Sequence, residues 1–370
     1  MPKLYIDAKI DVHDKNGNLE ETTGWQPCHS LVEQFIQILR VQTSTVADAN
    51  IRDVTNFGVT IINEGVLRNV DRHSNNFSLL APVGDGQYGP VLGTAATAVN
   101  IEATRLGTII VEGTVAGQLL HQATTTSGVV VTALQTTLVI TRQFVNNSAG
   151  GITPQEIGIY ARGTVTPFVF MIGRDLLSVV IAATRTATLQ IRFLTTDVGC
   201  IAFFQILQSM MTQTAVTATD VNGVGRGVGV VNGVNLDSTS YRMNGILNEG
   251  WGVRVGRGSP PAAFSPNNTA LTLLITPGTG ANQLTHLANI HGSILVVGAN
   301  LRYIVTRTFV NDSGATLSTD LSEVCIHVNN PFQSGGGFSA AEFLIAREDT
   351  IAVLTVTANL IVVVDAQIQI

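Results

Sequence analysis

Residues 4–13 alternate strictly, with Tyr5, Asp7, Lys9, Asp11 and His13 on one face and Ile6, Ala8, Ile10 and Val12 on the other. That period of two predicts a half-buried strand. Asp14-Lys15-Asn16-Gly17-Asn18 follows, and its Asn-Gly pair predicts the tight turn of a hairpin. Most of the remaining chain alternates short β-branched runs with Gly, Asn or Pro clusters, the spacing of an all-β sandwich or barrel. Leu138-Val139-Ile140, Val179-Val180-Ile181-Ala182 and Leu301 to Val310 are examples read as strands. Two stretches change period. Ser30-Leu31-Val32-Glu33 forms a capping box, and Leu31, Phe35, Ile38 and Leu39 follow at helical spacing. Ile201 to Met211 is apolar nearly all round, which predicts a more deeply buried helix between domains.

The chain also resembles itself. Thr141-Arg142-Gln143-Phe144-Val145-Asn146-Asn147-Ser148 returns as Thr306-Arg307-Thr308-Phe309-Val310-Asn311-Asp312-Ser313. The same ungapped offset pairs residues 113–121 with 278–286, Gly93 with Gly258, Leu106 with Leu271 and Ile110 with Ile275. Two shifted matches flank this block: residues 35–39 with 203–207, and Phe170-Met171-Ile172-Gly173-Arg174-Asp175 with Phe343-Leu344-Ile345-Ala346-Arg347-Glu348. The order is preserved, so the expectation is a tandem duplication: a first β-sandwich domain at 1–197 with an N-terminal hairpin, and a second, homologous one at 198–370. The extra length of the second copy falls at Pro331 to Gly337, expected as a surface loop.

Composition narrows the function classes. Charged residues are 12% of the 370, against roughly 25% in an ordinary soluble chain, while apolar residues are 45%, which excludes disorder. The formal charge is -6 with no basic stripe, so nucleic acid is not an expected ligand. Lysine occurs only at positions 3, 9 and 15, and the other basic side chains are arginines; surfaces poor in Lys and rich in Thr, Asn and Gln fit burial against other proteins. The N-terminus reaches Asp7 before any apolar run, reading against a secretory signal, and the most apolar segment, Thr350 to Val364, is too short and polar to span a bilayer. No membrane partner is expected.

Candidate chemistry is sparse. Cys28, Cys200 and Cys325 are odd in number and widely spaced, so they read as three buried free thiols. Gly223 to Gly229 lacks the Lys-Ser/Thr of a phosphate loop, and Asp14, Asn16 and Asn18 lack the Gly and Glu of a calcium loop. His121 and His286 recur without neighbouring ligands and read as structural. No nucleophile constellation appears, so neither enzyme activity, metal nor cofactor is expected. The repeated charges say more: Arg142 and Glu156 flank the turn Asn146 to Gly151, and Arg307 and Glu323 flank its counterpart. Each pair is expected to pin a hairpin register across neighbouring strands.

The succession of residues 91–94, 113–114, 118–119, 141–148, 156–160 and 170–175, followed in the second copy by 306–313, 323–326 and 343–348, resembles β-rich virion structural proteins of tailed bacteriophages. The second copy departs from it with Cys325-Ile326-His327 for Gly158-Ile159-Tyr160 and Glu348 for Asp175. The resemblance implies a particle component assembled in the host cytoplasm. The resulting expectation is an all-β, jelly-roll-like tandem sandwich with one helix per repeat, non-enzymatic, that binds other virion proteins and copies of itself as a capsid decoration or cement component. The alternative is a tail- or fibre-associated receptor- or carbohydrate-binding protein, which needs exposed aromatic platforms that two tryptophans supply poorly.

Overall fold

The structure, a computed structural model, describes residues 4–28, 31–43, 48–61, 77–132, 135–163, 168–196, 200–212, 216–228, 243, 247–257, 271, 273–297, 300–318, 320–334, 337–348 and 354–369. These residues are mostly β, in several antiparallel sheets, with two helices, α1 (Glu33–Thr43) and α2 (Ile201–Thr212).

In the first half, Leu4–His13 is the pivot of the larger sheet. It pairs with Thr186–Thr196 over ten unbroken positions, from Leu4 opposite Thr195 to His13 opposite Thr186. Its expected alternation holds: Leu4, Ile6, Ala8, Ile10 and Val12 are all buried. Full burial of each larger member stabilises by about 1.5–3 kcal/mol. Thr186–Thr196 in turn pairs with Gln135–Val145, so it is covered on both edges. The Asn-Gly turn also forms, with Gly17 at φ 85° and the Asp14 carboxylate accepting from the backbone of Asn16 and Asn18. A second sheet is built on Glu156–Gly163, which pairs with Val169–Leu176 on one side and with Gly89–Gly93 and Phe77–Ser78 on the other.

The second half repeats this division. Asn300–Val310 pairs with Ile290–Val297, Thr285–His286 and Ile361–Gln369 in one sheet, and Leu321–Ser334 pairs with Gly252–Arg257 and Gly337–Glu348 in another. Buried apolar side chains from both halves join one contiguous cluster, and the expected boundary between residues 197 and 198 lies outside the described residues. The helices sit where the halves meet. Beyond its own sheet, α1 reaches Asn300–Val310, and α2 touches Phe77–Ser78 and Gln135–Val145 as well as Gly337–Glu348. A small cavity of about 30 Å³ is lined by Phe35, Ile38 and Leu39 of α1, by Leu207 and Met211 of α2, and by sheet residues such as Phe77 and Ile172. The nearly all-round apolar character of α2 thus has a physical cause: it is packed on more than one side.

Several sequence expectations change. Val179 to Ala182 is not a strand but a segment with one isolated bridge, Ile181 to Ile152, because it crosses beside the loop that leads from one sheet to the other. Residues 331–334 are not an irregular loop: the extra length extends a two-stranded hairpin as far as Ser334 opposite Gly337, and residues 335–336 lie outside the described residues. Pro331 is tolerated there because it lies beyond Gly252–Arg257, where among the described residues the strand has a neighbour on one side only. Ser30 of the capping box lies outside the described residues, and the Glu33 carboxylate accepts from Gln37 one turn on. Cys28 is half-buried, unlike the buried Cys200 and Cys325; all three are free.

Candidate functional site

The repeated charges are brought together, but not as the hairpin reading had them. Gln135–Val145 and Glu156–Gly163 belong to different sheets, as do Asn300–Val310 and Leu321–Ser334, so the turns after Val145 and Val310 are crossings between sheets. The expected pinning of Arg142 to Glu156 and of Arg307 to Glu323 across neighbouring strands is therefore corrected. Each arginine and each glutamate has another partner.

Arg142 is fully buried, in phase with Leu138, Ile140 and Phe144 on the inward face of its strand. Its guanidinium donates to four main-chain carbonyls: from Nε to Gln122 at 3.0 Å, from Nη1 to Tyr88 at 2.9 Å and Pro90 at 3.1 Å, and from Nη2 to Asp85. Arg307 does the same. Nε donates to Leu287 at 2.8 Å, Nη1 to Trp251 at 2.8 Å and Val253 at 3.2 Å, and Nη2 to Glu249 at 2.9 Å. The planar five-donor fork of arginine suits such a cradle, and lysine's compact ammonium does not. Burial lowers both guanidinium pKa values to about 10, which leaves them charged at neutral pH. Beside each lies a buried histidine edge-on to a phenylalanine: His121 on Phe144 at 5.1 Å and His286 on Phe309 at 4.9 Å. Burial, then the adjacent arginine, lowers His121 to about 4 and His286 to about 3, so both are neutral structural rings.

The glutamates find the arginines of the segment 170–175 and its match. Glu156 pairs with Arg174 at 2.8 Å and Glu323 with Arg347 at 2.6 Å, both pairs deeply buried. Glu156 also accepts from the backbone N–H of Thr108 at 3.1 Å. A glycine opposite each glutamate makes the room. A Cβ on Gly93 would meet Glu156 Oε1 at 2.6 Å and the Thr108 carbonyl at 2.7 Å, and one on Gly256 would meet Glu323 Oε2 at 2.8 Å. Gly256 therefore occupies the place of Gly93, and the sequence pairing of Gly93 with Gly258 is off by two residues; Gly258 lies outside the described residues.

The sheet-crossing loops are clamped alike. Asn146 Nδ2 donates to the carbonyls of Gly150 and Ile181, both at 2.8 Å, and Ser148 Oγ donates to Asn146 Oδ1 at 2.7 Å. Asn311 Nδ2 donates to Ala315 at 2.8 Å and Thr357 at 3.0 Å, with Ser313 Oγ on Asn311 Oδ1 at 2.6 Å. Even the left-handed residue that follows recurs: Thr184 at φ 65° and Asn359 at φ 62°, whose amides donate to the Asn146 and Asn311 carbonyls.

Differences between the halves are as telling. Where the first half has Tyr160, whose hydroxyl accepts from the Leu106 amide at 2.7 Å, the second has His327 bonded to Glu342, which Arg254 also reaches at 3.2 Å. Burial alone raises the Glu342 carboxyl, but His327 and Arg254 hold it below its ordinary value. Of the glycine-rich segment, residues 223–228 belong to the hairpin 216–228, turned at Asp220, whose carboxylate accepts from the Asn222 and Val224 amides and pairs with Arg226 at 2.9 Å; Gly229 lies outside the described residues.

The outward sheet faces diverge most. On the first-half face, Arg192 pairs with Asp7, Lys9 with Asp11 at 2.7 Å, and Trp25 lies under the Arg192 guanidinium at 4.3 Å. Thr186 and Thr188 continue that polar face; the residues at the same register in the second half are Ile361 and Val363, each 60% exposed. Ile290, 65% exposed, stands on the same outward face, as does the exposed Leu295. Sequence reading missed these residues because they lie on two strands, Ile290–Val297 and Ile361–Gln369, far apart in the chain. Among the described residues no group of three or more metal-ligating side chains converges, and no helix is long and apolar enough to cross a membrane. Compared with protein-family models, with curated proteins and with solved structures, the chain finds no match.

Proposed function

We propose that the chain is a tandem duplication of one β-sandwich unit, jelly-roll-like in its crossings between sheets, and that it works by binding neighbouring polypeptides as a structural component of a tailed-phage virion, of the capsid decoration or cement type. Support for duplication comes from long-range interactions that recur in order: the two four-carbonyl arginine cradles, the two buried Glu–Arg pairs and the two Asn–Ser clamps. These groups brace the backbone, so the units are stiff building blocks. The observation that carries the assembly reading is the outward face of the second-half sheet, where Ile290, Leu295, Ile361 and Val363 stand exposed in place of the first half's threonines and ion pairs. Exposed large apolar side chains on the outward face of a chain with few charges fit burial against protein. The resemblance to virion proteins and the low charge point the same way. Trp25 does not favour the glycan-binding alternative, because Arg192 and Lys9 already lie over its ring.

The test is association. Purified chain is mixed with empty phage particles lacking it and the mixture is separated by size exclusion. Co-elution with the particle is expected, and elution of all the chain as free protein overturns the reading.

A further inference from the structure

The same sheet that carries the apolar face has an open edge. In the first half, Thr186–Thr196 lies between Gln135–Val145 and the N-terminal strand Leu4–His13. Its counterpart Ile361–Gln369 pairs with Asn300–Val310 over nine unbroken positions, and among the described residues no strand pairs with its other edge. The registers equate the two strands residue by residue: Phe144 faces Ala187 as Phe309 faces Val362, and Thr141 faces Gln190 as Thr306 faces Asp365. An edge strand with unpaired N–H and C=O groups is a template for another strand, and proteins that keep edges free place Lys, Pro or a bulge there. Residues 361–369 contain no Lys or Pro, and their pairing shows no bulge.

We infer that the edge of Ile361–Gln369 with which no described strand pairs takes up an extended segment of another polypeptide by antiparallel strand addition, and that the segment has the chemistry of Leu4–His13: apolar side chains at alternate positions and a basic residue opposite Asp365. The first half supplies the template. Transferred through the matching register, Val12, Ile10 and Ala8 stand opposite Val362, Val364 and Ala366, and Lys9, which faces Gln190 in its own sheet, stands opposite Asp365. Asp365 is exposed, accepts from Thr306 Oγ1 at 2.5 Å, and is the single charge on the strand, so the edge selects a donor carrying a cation at that position. The chain's own Leu4–His13 is not the donor, because moving it would uncover Thr186–Thr196 in exchange. Main-chain bonding would supply affinity and the alternate side chains specificity. This inference rests on the assembly reading and names the contact it uses.

The experiment uses the full chain and a fluorescent peptide of residues 4–13, read by anisotropy, with sedimentation of the free chain alongside. Saturable binding is expected. Asp365→Lys should weaken it about fivefold, Asp365→Asn by less, and the peptide carrying Lys9→Asp should regain affinity for the Asp365→Lys chain. Unaltered melting of the Asp365→Asn chain confirms that the loss is local. Absence of binding overturns the inference, as does binding indifferent to residue 365, which would mean exchange with the chain's own N-terminal strand. A free chain that sediments as a dimer and ignores the peptide also overturns it, since the edge is then taken by a second copy. Particle association that persists in the Asp365→Lys chain would remove the edge as the contact and leave the assembly reading standing.

Discussion

Replacing Arg142 by Met removes one buried cation and leaves four carbonyls, those of Gln122, Tyr88, Pro90 and Asp85, without the donor that ties them together. A buried acceptor stripped of its partner costs about 1–3 kcal/mol, though some relax toward other donors. Met restores much of the apolar stem volume, so the cavity contribution is small. The net loss is expected at about 3–5 kcal/mol, a large part of the roughly 5–15 kcal/mol that separates a native domain from its unfolded chain. Arg142→Lys keeps the charge but offers three donors from a single nitrogen, too compact to span the cradle, and should lose about 2 kcal/mol. Urea unfolding followed by circular dichroism gives both numbers from the shift in midpoint at constant slope. Arg307→Met should behave alike, since its cradle has the same four-carbonyl geometry. A loss below about 1 kcal/mol for Arg142→Met, or full replacement by Lys, would show that the carbonyls do not need the guanidinium fork and would refute the reasoning.

The other predictions concern the neighbouring groups. Glu156→Gln and Arg174→Met should each cost about 3–5 kcal/mol by stranding a buried partner, while the double variant costs less than the sum; an additive double-mutant cycle would deny the pair. Gly93→Ala forces a methyl into the Glu156 carboxylate and the Thr108 carbonyl, and should destabilise by about 1–3 kcal/mol in the same unfolding assay, against near-neutral behaviour at an open position such as Gly58. His121 and His286 have folded pKa values below the unfolded value of about 6.5, so the unfolded chain takes up protons first as pH falls. Their contribution is intact above pH 6.5 and is lost progressively toward about pH 4 for His121 and about pH 3 for His286. Between pH 7 and 5 each should account for about 1–2 kcal/mol of lost stability, and His121→Gln should flatten that slope; an unchanged slope would contradict the assignment.

The strands were legible where one face is buried and the other wet, as in Leu4–His13, whose alternation survives intact. The helices were legible from their change of period, and the recurring residues from their shared spacing. Partnerships were not. Arg142 lies 52 to 57 residues from three of its four acceptors, and the acceptors are carbonyls, which carry no side-chain signature. One signal was present: period two places Arg142 in phase with Leu138, Ile140 and Phe144, which marks it as inward-facing and therefore in need of buried acceptors. The arginines that hold Glu156 and Glu323 were also visible as the repeated Arg174 and Arg347, but pairing across strands requires the register that only coordinates supply. Val179 to Ala182 misled because β-branched residues suit any buried extended segment, including one that crosses between sheets with a single bridge.

The central claim is that this chain is a braced pair of β units whose second outward sheet face meets other protein. Cryo-electron microscopy of the assembled particle, at a resolution that traces this chain, tests it most directly. The account predicts Ile290, Ile361 and Val363 covered by a neighbouring polypeptide; a particle in which those side chains face solvent, or one without the chain, would contradict it.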